Sequence, residues 1–234
     1  MRYDWILFDA DETLFSFDAF AGLKVMFAGL GVDFSEQDFA EYQTVNKPLW
    51  VKYQDGEISA KQLQEDRFLV WSERLDVSPA ELNSRFLDAM ADICQPLEGV
   101  REVLPALAQR AKLGIITNGF VQLQQIRLTK TGLSEYFSHI VISEEVGVAK
   151  PDVAIFDHTF AQIGLPDKSR ILMVGDNADS DIRGGQNAGI DTCWLNVDDK
   201  PLPHGVMPTY CPLLAGDPQP ASRLDGKKRT MRGR

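Results

Sequence analysis

Cysteine is scarce in this sequence, with three residues among 234. Cys94, Cys193 and Cys211 are too few and too widely spaced for a disulfide framework or a cysteine-rich zinc site. An odd number of cysteines is also typical of a reducing compartment. We therefore predict buried thiols and no disulfide bonds.

Long hydrophobic runs are missing as well. No stretch approaches the roughly 18 apolar residues that a membrane-spanning helix requires. The first residues already include Asp4 and Asp9, so they lack the apolar segment of a secretory signal. With 44% hydrophobic and 25% charged residues, the composition is typical of a globular protein. We expect a cytoplasmic protein.

Positive charge is in short supply, since 24 Lys and Arg face 34 Asp and Glu for a net charge of -10. Such an excess of acidic residues disfavours binding to nucleic acid polymers or to anionic membranes. Residues 212–234 are the exception, because this segment holds six basic and two acidic residues. Its prolines and basic residues show no amphipathic repeat, so we predict a basic, disordered tail. An acidic protein that handles anions would need a bound cation.

Short apolar runs that end in polar residues recur along the chain. Helical stretches such as 100–111 and 152–163 separate the later runs, and this alternation predicts an α/β fold, a Rossmann-like parallel sheet. In such a sheet, ligands bind at the carboxyl ends of the strands. The five predicted strands are 5–8, 112–116, 139–142, 170–174 and 192–195.

Residues 16–95 interrupt the alternation with helices. Ser35, Ser59 and Ser78 each begin a helix pattern, with an acid or amide three positions later. We predict an α-helical cap inserted after the first strand, which closes over the carboxyl edge of the sheet. The alternative is a helical layer that only packs. The core then comprises residues 1–15 and 96–211.

Asp9 and Asp11 follow the first predicted strand. Two carboxylates so close together repel each other unless a cation or a reaction uses them. Phosphoryl transfer does both, because one carboxylate can attack phosphorus while the other protonates the leaving oxygen. An ordinary acidic turn is the alternative.

Asp176 and Asp181 follow the fourth predicted strand. If this strand lies beside the first, its acidic residues face Asp9 and Asp11. Oxygen ligands without histidine or cysteine favour Mg²⁺. The alternative is that Asp181 only caps the positive end of a helix dipole.

Thr117, Asn118 and Lys150 supply the donors that a phosphate needs. Thr117 and Asn118 stand between a predicted strand and a predicted helix, where hydroxyl and backbone N–H groups form an anion cradle. Lys150 precedes Pro151 at the start of another helix and would balance the nearby carboxylates. A surface lysine is the alternative for Lys150.

In this order along the chain, these motifs resemble the four motifs of the haloacid dehalogenase (HAD) superfamily of phosphatases. The resemblance covers residues 4 to about 196 and implies a Rossmann-like core with a helical cap. It implies that Asp9 is the nucleophile, that Asp11 is the general acid and base, and that Thr117 and Lys150 bind the phosphate.

The resemblance also implies the magnesium ligands. These would be the side chains of Asp9 and Asp176 and the backbone carbonyl of Asp11. Asp181 would act through water or by holding Lys150.

Longer matches, such as 8–15, 46–50 and 142–151, resemble the pyrimidine 5′-nucleotidases of this superfamily. They imply a Mg²⁺-dependent phosphatase that acts on nucleoside 5′-monophosphates through an aspartyl-phosphate. Four aromatic residues in or next to the predicted cap either stack on the base or belong to the hydrophobic interior: Phe15, Phe17, Tyr42 and Trp50.

Three alternatives stay open. The chain could hydrolyse another small phosphate ester such as phosphoglycolate, transfer phosphate as a phosphosugar mutase, or bind without catalysis. The last disagrees with the retained, mutually repelling carboxylates. The sequence also leaves open whether the protein forms a homo-oligomer.

Overall fold

The computed structural model describes residues 2–210, and its centre is a five-stranded parallel sheet. The predicted tail, 212–234, lies outside the described residues, as does Cys211. The strands are β1 (Trp5–Phe8), β2 (Lys112–Thr117), β3 (Phe137–Ile142), β4 (Ile171–Gly175) and β5 (Asp191–Trp194).

The strand order is β3-β2-β1-β4-β5, so β1 lies in the middle between β2 and β4. Phe8 at the end of β1 pairs with Ile115 on one side and Val174 on the other. The three strands therefore end at nearly the same level. This arrangement confirms the predicted α/β fold and brings the polar residues after each strand to one edge.

Helices cover both faces of the sheet, because the strands are apolar on both sides and must be buried from water. Leu104 and Leu128 belong to the cluster on one face, whereas Ile155 and Phe160 belong to the cluster on the other. These helices are α6 (Val100–Ala108), α7 (Val121–Thr131), α8 (Ser143–Val146), α9 (Val153–Gln162) and α10 (Arg183–Ala188).

Five further helices lie between β1 and α6 in the chain, which we call the inserted helices. Ser35, Ser59 and Ser78 cap three of them through side-chain oxygens, as predicted, and Asp18 caps the first. The inserted helices are α1 (Ala19–Ala28), α2 (Glu36–Gln54), α3 (Ala60–Asp66), α4 (Leu69–Leu75) and α5 (Pro79–Ile93).

The inserted helices enclose a hydrophobic cluster of their own that is rich in aromatic rings. Phe27 stacks on Phe34 with ring centroids 4.6 Å apart and meets Trp71 at 4.3 Å. The cluster also reaches Phe120 and Leu123 at the start of α7. The inserted helices are therefore packed against the carboxyl edge of the sheet.

Within residues 2–210, no helix has the length and apolar character needed to cross a membrane. The thiols of Cys94 and Cys193 are buried, as predicted for these two residues.

Candidate active site

Lys150 stands at the centre of the carboxyl edge, with its side chain 1% exposed. Its Nζ donates to Asp9 Oδ1 at 2.7 Å and to Asp181 Oδ1 at 2.6 Å. A third bond, of 2.7 Å, goes to the backbone carbonyl of Ile116 in β2. Asp9 follows β1, and Asp181 lies in the helical turn Ala178–Ile182 after β4. One ammonium group thus joins the ends of three strands.

The electrostatics of this cluster are dominated by burial. Burial raises the pKa of Asp9 to about 8; Lys150 opposes the rise, and the charges of Asp181 and Asp11 add to it. Burial alone would lower the pKa of Lys150, but the charges of Asp181 and Asp9 outweigh it and raise that pKa. Burial and the charge of Asp181 raise the pKa of Asp176 to about 7. The protein therefore supplies less positive charge here than the carboxylates require.

Three carboxylates converge where that charge is missing. Asp9, Asp176 and Asp181 each offer an oxygen within 4.8 Å of the others, and they share one lysine. The donor set is all oxygen, which fits a hard divalent cation such as Mg²⁺. The ligand set that the family resemblance implies shares Asp9 and Asp176 with this group; Asp9 and Asp181 both also accept a hydrogen bond from Lys150.

Thr117 and Asn118 flank the same cluster at the end of β2. Thr117 is buried, and its hydroxyl accepts a hydrogen bond from the Gly119 N–H at 3.0 Å. The Asn118 amide bonds the backbone of Lys150 at both ends, accepting from its N–H at 2.8 Å and donating to its carbonyl at 2.9 Å. The side chain of Asn118 therefore positions Lys150, and a phosphate contact of Asn118 stays a prediction.

Asp11 has a partner that the sequence analysis missed. Arg127, 1% exposed on α7, donates through Nη1 to Asp11 Oδ1 at 2.5 Å. Gln124, one turn earlier, accepts from Arg127 Nε and Nη2 at 3.0 and 2.8 Å. The i, i+3 spacing of these two residues places them on one helix face, but spacing alone does not show that the face meets Asp11.

Phe15 lies under the guanidinium of Arg127, with its ring centroid 4.6 Å from the Arg127 carbon. It is fully buried in the cluster beside the sheet. Of the two interpretations of Phe15, the core one is confirmed, and base stacking by this ring is excluded.

A cavity of about 200 Å³ opens over the cluster. Trp50 and Gln54 of α2 form its opposite wall, so the inserted helices contribute directly to the site. Asp181 lies beneath the cavity, fully buried against Lys150. The other six predicted site residues line the cavity: Asp9, Asp11, Thr117, Asn118, Lys150 and Asp176.

A buried carboxylate, a lysine and an acidic cluster that could hold a cation, at the carboxyl end of a parallel sheet, are the arrangement expected of a phosphate-ester hydrolase. The family model for haloacid dehalogenase-like hydrolases matches residues 3–189. The chain belongs to this family, as its motifs predict.

The relatives are similar over most of their length. Pyrimidine 5′-nucleotidase YjjG of Escherichia coli is 58% identical over 210 residues, which cover 90% of this chain and 93% of that protein. Pyrimidine 5′-nucleotidase PynA of Streptococcus pneumoniae is 34% identical over 215 residues, covering 90% of this chain and 91% of that protein.

A solved structure supports the fold. The crystal structure of the HAD-hydrolase YfnB from Bacillus subtilis bound to magnesium matches with a TM-score of 0.78 and 31% identity. The match covers 90% of this chain and 94% of that chain.

Gly175, the last residue of β4, leaves room for Asp181. A Cβ atom at position 175 would lie 2.1 Å from Asp181 Oδ2 and 2.4 Å from its carboxyl carbon. Because Asp181 is fully buried, Gly175→Ala must displace it from Lys150. We expect the free energy of unfolding to fall by about 1–3 kcal/mol in chemical denaturation, as for other overpacked sites.

Gly29→Ala is the matched control, since Gly29 has φ -63° and its nearest atom to an added Cβ lies 3.3 Å away. The control should change the free energy of unfolding by less than about 1 kcal/mol. Equal effects of the two substitutions would show that Gly175 is not required for the seating of Asp181.

Proposed function

We propose that this protein is a Mg²⁺-dependent pyrimidine 5′-nucleotidase that hydrolyses nucleoside 5′-monophosphates. The chemistry rests on one observation, the buried contact of Lys150 with Asp9 at the floor of a cavity lined by Asp11 and Asp176. The substrate rests on the similarity to two pyrimidine 5′-nucleotidases along nearly the whole chain.

Asp9 is the nucleophile of the proposed reaction. Its carboxylate attacks the phosphorus atom, so that a P–O bond to Asp9 forms while the P–O bond to the nucleoside breaks. Lys150 holds the attacking carboxylate in place and balances charge on the transferring phosphoryl group. Thr117 and the backbone N–H of Asn118 donate to the phosphoryl oxygens.

Asp11 is the general acid in the first step and the general base in the second. It donates a proton to the departing O5′ of the nucleoside, and then accepts one from the water that hydrolyses the aspartyl-phosphate. Its side chain is 29% exposed and lines the cavity, while Arg127 holds one of its oxygens. Arg127 is therefore a positioning residue for the proton transfer.

Asp9 and Asp176 are the side chains that would hold Mg²⁺, together with the backbone carbonyl of Asp11. When bound, the ion would neutralise the phosphate and the carboxylates around it. Asp181 keeps Lys150 in place from below.

The inserted helices act as a cap in this proposal, with residues 16–95 closing over the core formed by 1–15 and 96–211. Trp50 supports this role because it lines the cavity opposite the carboxylates and packs on Phe120 with centroids 5.5 Å apart. Hydrogen bonds such as Tyr53 to Ser143, at 2.7 Å, hold the cap against the core. Movement between domains in YfnB is compatible with such a cap.

The substrate class is tested by phosphate release from UMP, dUMP, AMP, phosphoglycolate and glucose 1-phosphate. We expect kcat/KM for the pyrimidine nucleotides to exceed that for AMP by about tenfold or more. Chelation with EDTA should abolish release, and added Mg²⁺ should restore it. Preference for phosphoglycolate, or phosphate retained on a second sugar position, would contradict the proposal.

Asp9→Asn tests the nucleophile. The carboxamide does not form the acyl-phosphate, so we expect kcat for dUMP to fall on the order of 10³-fold or more. The melting temperature in metal-free buffer should fall only slightly, because Lys150 keeps its ion pair with Asp181 and burial disfavours the Asp9 charge. The side chain of Asp157 on α9 is exposed, so Asp157→Asn is the control and should retain full activity. An active Asp9→Asn variant would overturn the assignment.

Arg127→Met tests the positioning of Asp11. We expect kcat to fall while KM stays within about threefold, and Arg127→Lys to recover part of the rate. Asp11→Asn should lower kcat by about 10²–10⁴-fold. In the double variant, Arg127→Met should add little to that loss, since its effect passes through Asp11.

Arg110→Met on the surface is the control, and melting temperatures separate rate effects from unfolding. Additive losses in the Asp11→Asn, Arg127→Met double variant would show that Arg127 acts independently of Asp11.

A further inference from the structure

A second cavity, of about 170 Å³, adjoins the first. The two cavities share Asp11, Trp50 and Gly119 as lining residues, so a molecule with its phosphate in the first can extend into the second. Eight of the twelve residues that form its wall come from 17–87, the segment that holds the inserted helices, and five of the twelve are aromatic. Its characteristic residues are Phe17, Tyr42, Asn46, Trp50, Arg67 and Phe120.

Arg67 is the unusual member of this wall. It is 5% exposed, and three rings surround its guanidinium carbon: Phe68 at 5.3 Å, Phe86 at 5.0 Å and Phe120 at 5.2 Å. Within residues 2–210, no carboxylate oxygen lies within 4 Å of its nitrogens, in contrast to Arg127. Arg67 is therefore a buried cation without an acidic partner in direct contact.

The protein compensates this charge through neutral side chains, the amide of Asn83 and the hydroxyl of Tyr42, which also hydrogen-bonds the guanidinium. Asn83 Oδ1 accepts from Arg67 Nε at 3.1 Å and also from Nη2. Asn83 in turn donates to Gln64 at 2.7 Å, and Gln64 donates to Glu144 at 2.6 Å. The chain of amides fixes the guanidinium against one wall. A guanidinium has five N–H donors. Asn83 accepts from two of its nitrogens and Tyr42 is a further partner, so these contacts within residues 2–210 leave donors for a ligand.

A ligand that fits this wall must bring a flat ring and a hydrogen-bond acceptor. Aromatic side chains bind flat rings by stacking. The guanidinium only donates, so it favours a carbonyl oxygen over an amino group. Cytosine, uracil and thymine share a carbonyl at C2, whereas adenine has no ring carbonyl.

We propose that the second cavity holds the pyrimidine base of the substrate and that Arg67 donates a hydrogen bond to its C2 carbonyl oxygen. This inference rests on the proposed function. According to this inference, Arg67, which directly follows α3, makes the protein prefer a pyrimidine over adenine. Asn46 lines the same cavity. Its amide can both donate and accept, so it can hydrogen-bond the other polar atoms of the base.

The first test compares nucleotides on the unaltered protein, so folding does not enter. In 2-thiouridine 5′-monophosphate the C2 oxygen is replaced by sulfur, a weaker acceptor, and 4-thiouridine 5′-monophosphate is the matched control. We expect kcat/KM for the 2-thio compound to be about tenfold below that for UMP, and for the 4-thio compound to stay within about threefold. Equal values for the two thio compounds would overturn the C2 contact.

The second test uses Arg67→Met and Arg67→Lys. We expect Arg67→Met to lower kcat/KM for dUMP by about ten- to hundredfold more than for deoxyribose 5-phosphate, which has no base. The loss for dUMP in Arg67→Lys should be smaller than in Arg67→Met, because lysine keeps the positive charge but lacks the planar guanidinium group. In Arg67→Met, kcat/KM for the 2-thio compound should no longer fall below that for UMP.

Arg85→Met is the matched control, since Arg85 is exposed on α5 and pairs with Glu81. It should leave the ratio of dUMP to deoxyribose 5-phosphate unchanged. Equal losses for both substrates in Arg67→Met would overturn the inference, as would a larger loss for phosphoglycolate, whose carboxylate would then be the partner of Arg67. If the unaltered protein does not hydrolyse pyrimidine nucleotides, the proposed function itself fails.

Discussion

The buried bond network of Lys150 is the constraint on which the rest of the structure depends. Its ammonium group contacts Asp9, Asp181 and the carbonyl of Ile116, which belong to the ends of three strands. Removing one partner of a buried ion pair typically costs about 3–5 kcal/mol, because the other charge is left unpaired. The order β2-β1-β4 in the sheet is therefore tied to the chemistry at its edge, since no other order brings these groups around one lysine.

The same network explains how an acidic protein can handle an anion. Lys150 balances one negative charge, but Asp9, Asp176 and Asp181 together carry three when ionised. Burial raises the pKa of Asp9 and of Asp176, and the negative charge of Asp181 adds to the rise in both. A divalent cation would supply the missing positive charge and turn a region that repels phosphate into one that binds it. The overall charge of -10 is thus a poor guide to the local field.

The sequence predicts best what local patterns determine. Strand ends, the serine caps at Ser35, Ser59 and Ser78, and the polar residues after each strand follow from neighbouring positions. The contacts of Arg127 and Asn118 could not be predicted in this way. Arg127 meets Asp11 across 116 positions, and Asn118 meets Lys150 across 32. The packing of α7 against the sheet decides the Arg127 pair and the buried position of Phe15, whereas the Asn118 pair depends on the meeting of the β2–α7 and α8–α9 loops.

The two buried arginines show how the fold separates two tasks. Arg127 comes from the core and has a carboxylate partner, so its charge is satisfied before substrate binds. Arg67 directly follows α3 and is held by the uncharged side chains of Asn83 and Tyr42, so its remaining donors can be satisfied by a substrate. Asp11 lines both cavities. In the proposed reaction, proton transfer would therefore take place where the core meets the inserted helices, so a change in those helices could alter the substrate without altering the reaction.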